Sequence, residues 1–340
     1  MTQPFNTSCQ ERLQYFLNQN QIHINPERLT PDASTREFFR IKYNNKNAVA
    51  CVYPERFDKT LHQIDVTNLF IQSDLPVAKI YKVDFELGLL VHEDFGNNIL
   101  RDFLENAESN MQQNLFSDAV SLIAQIQQAT PKAFELNSIA SKLKFDREKL
   151  LWELNFFKTH YFENLIKTTL TNDLNNALIS EFDELATELE TFAAVLTHRD
   201  FHTANLMLDE DNNLLIIDHQ DARIGSVAYD LVSLLLDRVT NTPSETFLQK
   251  HKKLLLTKRE DLGLEKISFE ELDYEFNLTA VQRCLKAIGT FSNQAANFEK
   301  THYTQYINPM FKIVLDICKS LSKYPTLQDI LSNEKYMMNS

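Results

Sequence analysis

Residues 197–221 read THRDFHTANLMLDEDNNLLIIDHQD, a short β-like pattern inside a region whose flanks read as helix. Leu206-Met207-Leu208 and Leu214-Leu215-Ile216-Ile217 are apolar runs on either side of the polar stretch 209–213, the pattern of a hairpin. A hairpin of that length returns the chain beside its start, so Asp218 is expected next to Asn205. Both side chains offer hard oxygens, which suit Mg²⁺. Upstream, His198-Arg199-Asp200 is separated from Asn205 by four residues. A carboxylate at Asp200 can orient an approaching hydroxyl and accept its proton. Asp209, Glu210 and Asp211 read as solvated turn acids.

That spacing, H-R-D-x-x-x-x-N followed by an aspartate beyond a hairpin, is the catalytic-loop pattern of phosphoryl-transfer enzymes. The chemistry explains the parts. Charge on the transferred phosphates must be neutralised, and the nucleophile must be held in line. A rival reading pairs His198 with His202 as zinc ligands four residues apart, in the manner of H-E-x-x-H. The glutamate that pattern needs is Arg199 here, and a hairpin follows instead of a long helix, so zinc is disfavoured. His92 and His219 read as ordinary hydrogen-bonded histidines.

Composition removes other classes. The chain of 340 residues has five glycines, at 88, 96, 225, 263 and 289, where an average protein would have about 7%. A Walker-A loop or a dinucleotide fingerprint needs several glycines at fixed offsets, and neither can be written anywhere in the sequence. Thirty-four basic residues against 47 acidic ones leave a net charge of −13, with no basic run to attract nucleic acid or an anionic membrane. Cys9, Cys51, Cys284 and Cys318 are widely separated, without CxxC or metal-ligand spacing, and read as reduced thiols. The first residues have no signal-peptide character, and no apolar stretch approaches a membrane span. A cytoplasmic enzyme without nucleic-acid or membrane partners is expected; oligomeric state is not specified.

The first ~100 residues alternate strand, strand, helix, strand, strand, at about 37–43, 48–53, 58–73, 77–83 and 87–92. Pro54 ends the second strand. Beyond Gly96 the texture is helical, with helices expected at 99–107, 113–128, 147–167 and 174–193. No internal repeat or low-complexity tract appears. The pattern predicts an α+β chain of two lobes, a small antiparallel sheet with one helix at 1–96 and a larger, mainly helical lobe at 97–340.

With these motifs in view, HRDFHTANLML and IIDHQDARIGSVAYDLVSLLLD resemble the aminoglycoside phosphotransferase superfamily, whose fold is protein-kinase-like. DASTREFFRI, LLVHEDFG and DREKLLWELNFFKTHYF bring the chain closest to the bacterial kinases that phosphorylate the anomeric hydroxyl of N-acetylmuramate and N-acetylglucosamine in cell-wall recycling. The resemblance covers roughly residues 28–320. It implies an ATP- and Mg²⁺-dependent kinase with a small amino-sugar acceptor.

Carried onto this sequence, the resemblance makes Asp200 the base and Asn205 and Asp218 the metal ligands. Glu93, Asp94 and Phe95 become the hinge that meets the adenine. Ser34, Thr35 and Arg36 lie in the turn over the phosphates, with Arg40 as a further nucleotide contact. Asp221, Arg223 and Trp152 are candidates to meet the acceptor. His198 and Asp230 would support the catalytic loop. Val49-Ala50-Cys51-Val52 stands where protein kinases carry V-A-I-K, so the strand lysine is missing. Arg36, Arg40 or Lys42 could replace it, and Asp65 is a weak stand-in for its helix glutamate. The missing lysine keeps a nucleotide-binding module without turnover as an alternative from another class. Within the enzyme class, the alternative is an aminoglycoside or other small-alcohol phosphotransferase. A protein kinase is disfavoured, since only residues 222–227 separate the site from the next helix and no A-P-E segment follows.

Overall fold

The computed structural model describes residues 8–29 and 35–338, so Ser34 and its neighbours at 30–33 lie outside the described residues. In chain order the strands among the described residues are β1 (Glu27–Leu29), β2 (Glu37–Tyr43), β3 (Lys46–Val52), β4 (Ile80–Asp84), β5 (Leu89–Glu93), β6 (Val195–Thr197), β7 (Leu206–Leu208), β8 (Leu214–Ile216) and β9 (Arg223–Gly225). Two compact units emerge: Met1–Ala107 with Thr203–Asp221, and Glu108–His202 with Ala222–Ser340. These units are drawn differently from the expected lobes, because the 203–221 hairpin is stitched to the N-terminal unit. Ile216 N–H donates to the Pro76 carbonyl at 2.8 Å, and Leu208 N–H to that of Asn98 at 2.8 Å.

In the first unit, five strands form an antiparallel sheet in the order β1-β2-β3-β5-β4. The β2–β3 turn rests on Asn44 and Asn45, both at positive φ (49° and 63°), where asparagine is well tolerated. Side chains alternate across the sheet. Phe39 and Ile41 of β2, Ala48, Ala50 and Val52 of β3, and Leu89 and Val91 of β5 share one core. Leu13, Phe16 and Leu17 complete that core from helix Cys9–Gln19, an element absent from the expected order. Its signal is a Ser8–Glu11 capping box followed by the three apolar residues. Each such buried side chain contributes about 1.5–3 kcal/mol. The unit therefore carries two helices of 11 residues on the sheet side of the chain, this one and His62–Gln72, where one was expected. The second starts later than 58, because the Asp58 carboxylate accepts from Thr60 N–H (2.8 Å) and Oγ1 (2.5 Å) and closes a turn instead.

The second unit is mainly helical. Its spine is the 30-residue helix Phe269–Phe298, opened by a capping box between Ser268 and Glu271. Gly289 allows close approach of helix Arg147–Lys158: a Cβ there would lie 2.7 Å from Phe157 Cα. The expected helix 147–167 is α only to Lys158 and continues as a π-helical turn, Thr159–Leu165. β6 and β9 pair in antiparallel register, with Thr197 opposite Arg223, and this two-stranded ribbon carries the chain to His198.

Candidate active site

In the helical unit, β6 ends at Thr197 and the chain turns sharply through Arg199, whose φ is +84°. A non-glycine residue in that region is strained and must be held by its surroundings. Asp230, at the start of helix Tyr229–Leu236, supplies the hold. Its carboxylate accepts from the backbone N–H of His198 (2.7 Å) and of Arg199 (3.0 Å). Burial pushes the Asp230 carboxyl up to about 6, against the opposing pull of His198 and those two amides. His198 is fully buried with its ring edge-on to Phe201. Asp230 thus braces the turn through its two backbone amides.

Asp200 projects from this loop with its side chain one-quarter exposed. Its Oδ1 receives Lys286 Nζ at 2.7 Å and lies 3.1 Å from Arg283 Nη2; its Oδ2 faces Arg199 Nε at 3.8 Å. Burial alone would raise this carboxyl, but Lys286, Arg283 and Arg199 hold it well below the usual carboxylate range. Arg283 is fixed in turn, donating from Nε to Ser233 Oγ at 2.7 Å, and Ser233 Oγ reaches the Arg199 carbonyl at 3.3 Å. Sequence reading missed Lys286 and Arg283. Their one signal is a pair of cations three residues apart in the run 280–289, which is apolar apart from them and Gln282.

A second buried acid sits beside them. Glu153 accepts from Gln282 Nε2 (2.8 Å), and its Oε1 lies 3.6 Å from both Lys149 Nζ and Arg199 Nη2. Lys149 Nζ also lies 4.0 Å from the ring centre of Trp152, which is 56% exposed and has the Phe156 ring 5.5 Å away. Arg223 is buried with its guanidinium 5.2 Å from the Phe145 ring centre. Trp152 is thus more than half exposed, whereas Arg223 is mostly covered.

In the sheet unit, the 206–216 hairpin returns as expected: Ile217 N–H donates to the Asn205 carbonyl at 3.1 Å. Asp218 follows at φ +61°, its side chain 44% exposed. Its Oδ1 accepts from Gln220 Nε2 (2.9 Å) and meets Arg36 Nη2 at 3.3 Å. The donor set fits Mg²⁺. An amide and an exposed carboxylate are hard oxygen ligands, and Mg²⁺ prefers one or two of these together with water and phosphate oxygens. No group of three or more His, Cys, Asp or Glu residues suited to an all-protein metal cage occurs among the described residues.

Of the three cations considered for the missing lysine, Arg36 is the one beside Asp218. Its Nη1 also reaches Gln63 Oε1, on helix His62–Gln72, at 3.4 Å. Burial would lower the Arg36 guanidinium, but Cys51, Tyr53 and Asp218 hold it above its ordinary value. Arg36, Thr35, Tyr53, Arg56, His62 and Gln220 line part of a cavity of about 910 Å³. Arg40 instead ties down the exit of β5, reaching Asp94 Oδ2 (2.6 Å), the Gly96 carbonyl (3.2 Å) and Asn97 Oδ1 (2.8 Å). Lys42 is exposed. Val52, fourth in the V-A-I-K-like stretch, is buried in the sheet core, while the buried Cys51 lies near Arg36 with its thiol pushed up to about 12 by burial. Glu93 receives Lys79 N–H on its side chain at 3.3 Å; Phe95 and Asp221 are half-buried.

The small antiparallel sheet, the helical remainder and the H-R-D-x-x-x-x-N loop together are those of a protein-kinase-like phosphotransferase, an enzyme that phosphorylates an alcohol group. The chain belongs to the phosphotransferase enzyme family, whose profile matches residues 26–263. It is 26% identical over 315 residues to an N-acetylmuramate/N-acetylglucosamine kinase of Neisseria meningitidis serogroup B, covering 89% of this chain and 90% of the relative. A protein of the same description from Pseudomonas aeruginosa is 26% identical over 313 residues, covering 90% and 87%. Among solved structures, a putative aminoglycoside phosphotransferase from Ralstonia eutropha superimposes with a TM-score of 0.63 at 12% identity, covering 92% of this chain and 98% of that one. The choline kinase LicA from Streptococcus pneumoniae gives 0.59 at 15% identity, covering 91% and 98%. No helix among the described residues is long and apolar enough to cross a membrane.

Proposed function

We propose that this protein is an ATP- and Mg²⁺-dependent amino-sugar kinase that phosphorylates the anomeric hydroxyl of N-acetylmuramate or N-acetylglucosamine. The observation that carries the reading is the near end-to-end match, about nine-tenths of both chains, to two kinases described as acting on these sugars. On this reading the acceptor hydroxyl is oriented by the Asp200 carboxylate. Its oxygen forms a bond to the γ-phosphorus as the bond to the β–γ bridging oxygen breaks; ADP leaves, and the hydroxyl proton passes to Asp200. Because the cations around Asp200 hold its carboxyl so low, the proton moves late, once the new P–O bond is forming. Asn205 and Asp218 would hold Mg²⁺, which when bound would neutralise charge on the phosphates. Arg36 takes the task of the absent strand lysine, Glu93 to Phe95 form the hinge, and Trp152 offers a stacking face for the sugar ring. An ATP-using enzyme with four unbridged thiols is expected to work in the cytoplasm.

The test is phosphorus NMR of reactions containing Mg-ATP and a panel of amino sugars, aminoglycosides and choline. Anomeric phosphate from an N-acetylated amino sugar supports the assignment; transfer only to other acceptors, or to another position, overturns it. Asp200→Asn should reduce kcat by about 10²–10⁴-fold, the usual contribution of a positioned acid–base group. Nucleotide binding without turnover of any acceptor would instead indicate a binding module.

A further inference from the structure

Asp200 is grasped from a helix that no sequence motif connects to it. Lys286 lies 86 positions away, on the buried spine Phe269–Phe298, and donates to Asp200 Oδ1 at 2.7 Å. Arg283, one turn earlier, meets the same oxygen at 3.1 Å. The two cations differ in their other partners. Arg283 is also bound to Ser233 and lies 3.5 Å from Asp237, so it belongs to the scaffold of the loop. Lys286 approaches the carboxylate more closely than Arg283 does, at 2.7 Å against 3.1 Å.

We infer that Lys286 is the positioning residue of the transfer, fixing the plane and the negative charge of Asp200 so that it meets the acceptor hydroxyl in one orientation. This rests on the reading of Asp200 as the group that takes the hydroxyl proton. A hydrogen-bonded ammonium on Oδ1, beside the guanidinium already anchored to the loop, restricts rotation of the carboxylate, and its charge favours the ionised acid. Both effects act on turnover through Asp200 and leave nucleotide affinity largely untouched.

The groups facing Lys286 are Asp200 and Arg199 from the catalytic loop, Arg283 from its own helix, and Glu153 from helix Arg147–Lys158. Burial first, then Arg283 and Arg199, lower the lysine from its ordinary value, with Asp200 and Glu153 opposing. A lysine so lowered loses its proton as pH rises through that value, and turnover should fall with it. Arginine at this position stays charged throughout.

The experiment measures kcat, KM for ATP and their pH profiles between about pH 6 and 10.5, the ordinary lysine value, in the wild type, Lys286→Arg, Lys286→Met and Asp200→Asn, with folding checked by thermal melting. Lys286→Met is expected to lower kcat about tenfold or more while KM for ATP stays within about twofold. Lys286→Arg should keep activity and move the alkaline limb to higher pH. If Lys286→Met retains wild-type kcat, or Lys286→Arg is inactive or keeps the wild-type alkaline limb, the inference is overturned. If Lys286→Met does not fold, the limb of Lys286→Arg decides alone. Asp200→Asn separates the two ideas: an active Asp200→Asn removes the reading of Asp200, whereas an inactive one with Lys286 variants indifferent to pH removes only the role of Lys286.

Discussion

Two residues show how much a single side chain can carry here. Arg36 is the cation that stands beside Asp218, at 3.3 Å, in a chain without the usual strand lysine. Arg36→Ala should therefore raise KM for ATP about tenfold while changing kcat less, the pattern of lost ground-state binding; an unchanged KM in steady-state assays would show that the arginine merely packs on Phe38 and Tyr53. Asp230 is the second. Its carboxyl, pushed up to about 6, binds a proton more tightly folded than unfolded. Its contribution to stability is therefore largest at low pH and is lost as pH rises through about 6. From pH 5 to pH 7 the wild type should lose about 1 kcal/mol relative to Asp230→Asn in urea unfolding, by the linkage between proton affinity and stability. The family resemblance placed Asp230 as a support of the loop; the two backbone amides that its carboxylate accepts from are seen only in the folded chain. Arg36 was one of three cations, and only side-chain geometry separated it from Arg40 and Lys42.

At the scale of elements, the hairpin 206–216 was readable because its two apolar runs and polar turn are contiguous. Helix Cys9–Gln19 escaped, since three apolar residues among polar ones are a weak stripe until a sheet is present to cover them. The end of the α-helical part at Lys158 was equally hidden: the apolar spacing continues, but the backbone widens into a π-turn where it meets the long helix. That crossing depends on Gly289. Gly289→Ala would put a methyl 2.7 Å from Phe157 Cα, a backbone atom that cannot rotate away. The expected cost is about 1–3 kcal/mol of stability, as for overpacking elsewhere, with a lower melting temperature. Since Lys286 lies one turn before Gly289, its kcat should also fall in the fraction that folds.

For the whole molecule, two kinds of information separate. The sequence by itself determined the α+β class, the loop that carries Asp200, the pairing of Asn205 with the approach to Asp218, and the absence of glycine-built phosphate loops, because each is written in neighbouring residues or in composition. Tertiary structure alone decided which charges surround those acids. Lys286 reaches Asp200 across 86 positions, and Arg36 reaches Asp218 across 182. The physical reason is that local patterns follow from backbone geometry and side-chain period, whereas a distant contact exists only after folding has met the entropic cost of closing the chain between them. No spacing rule encodes such a contact; the packing of Gly289 on Phe157 and of the hairpin on residues 76–99 creates it.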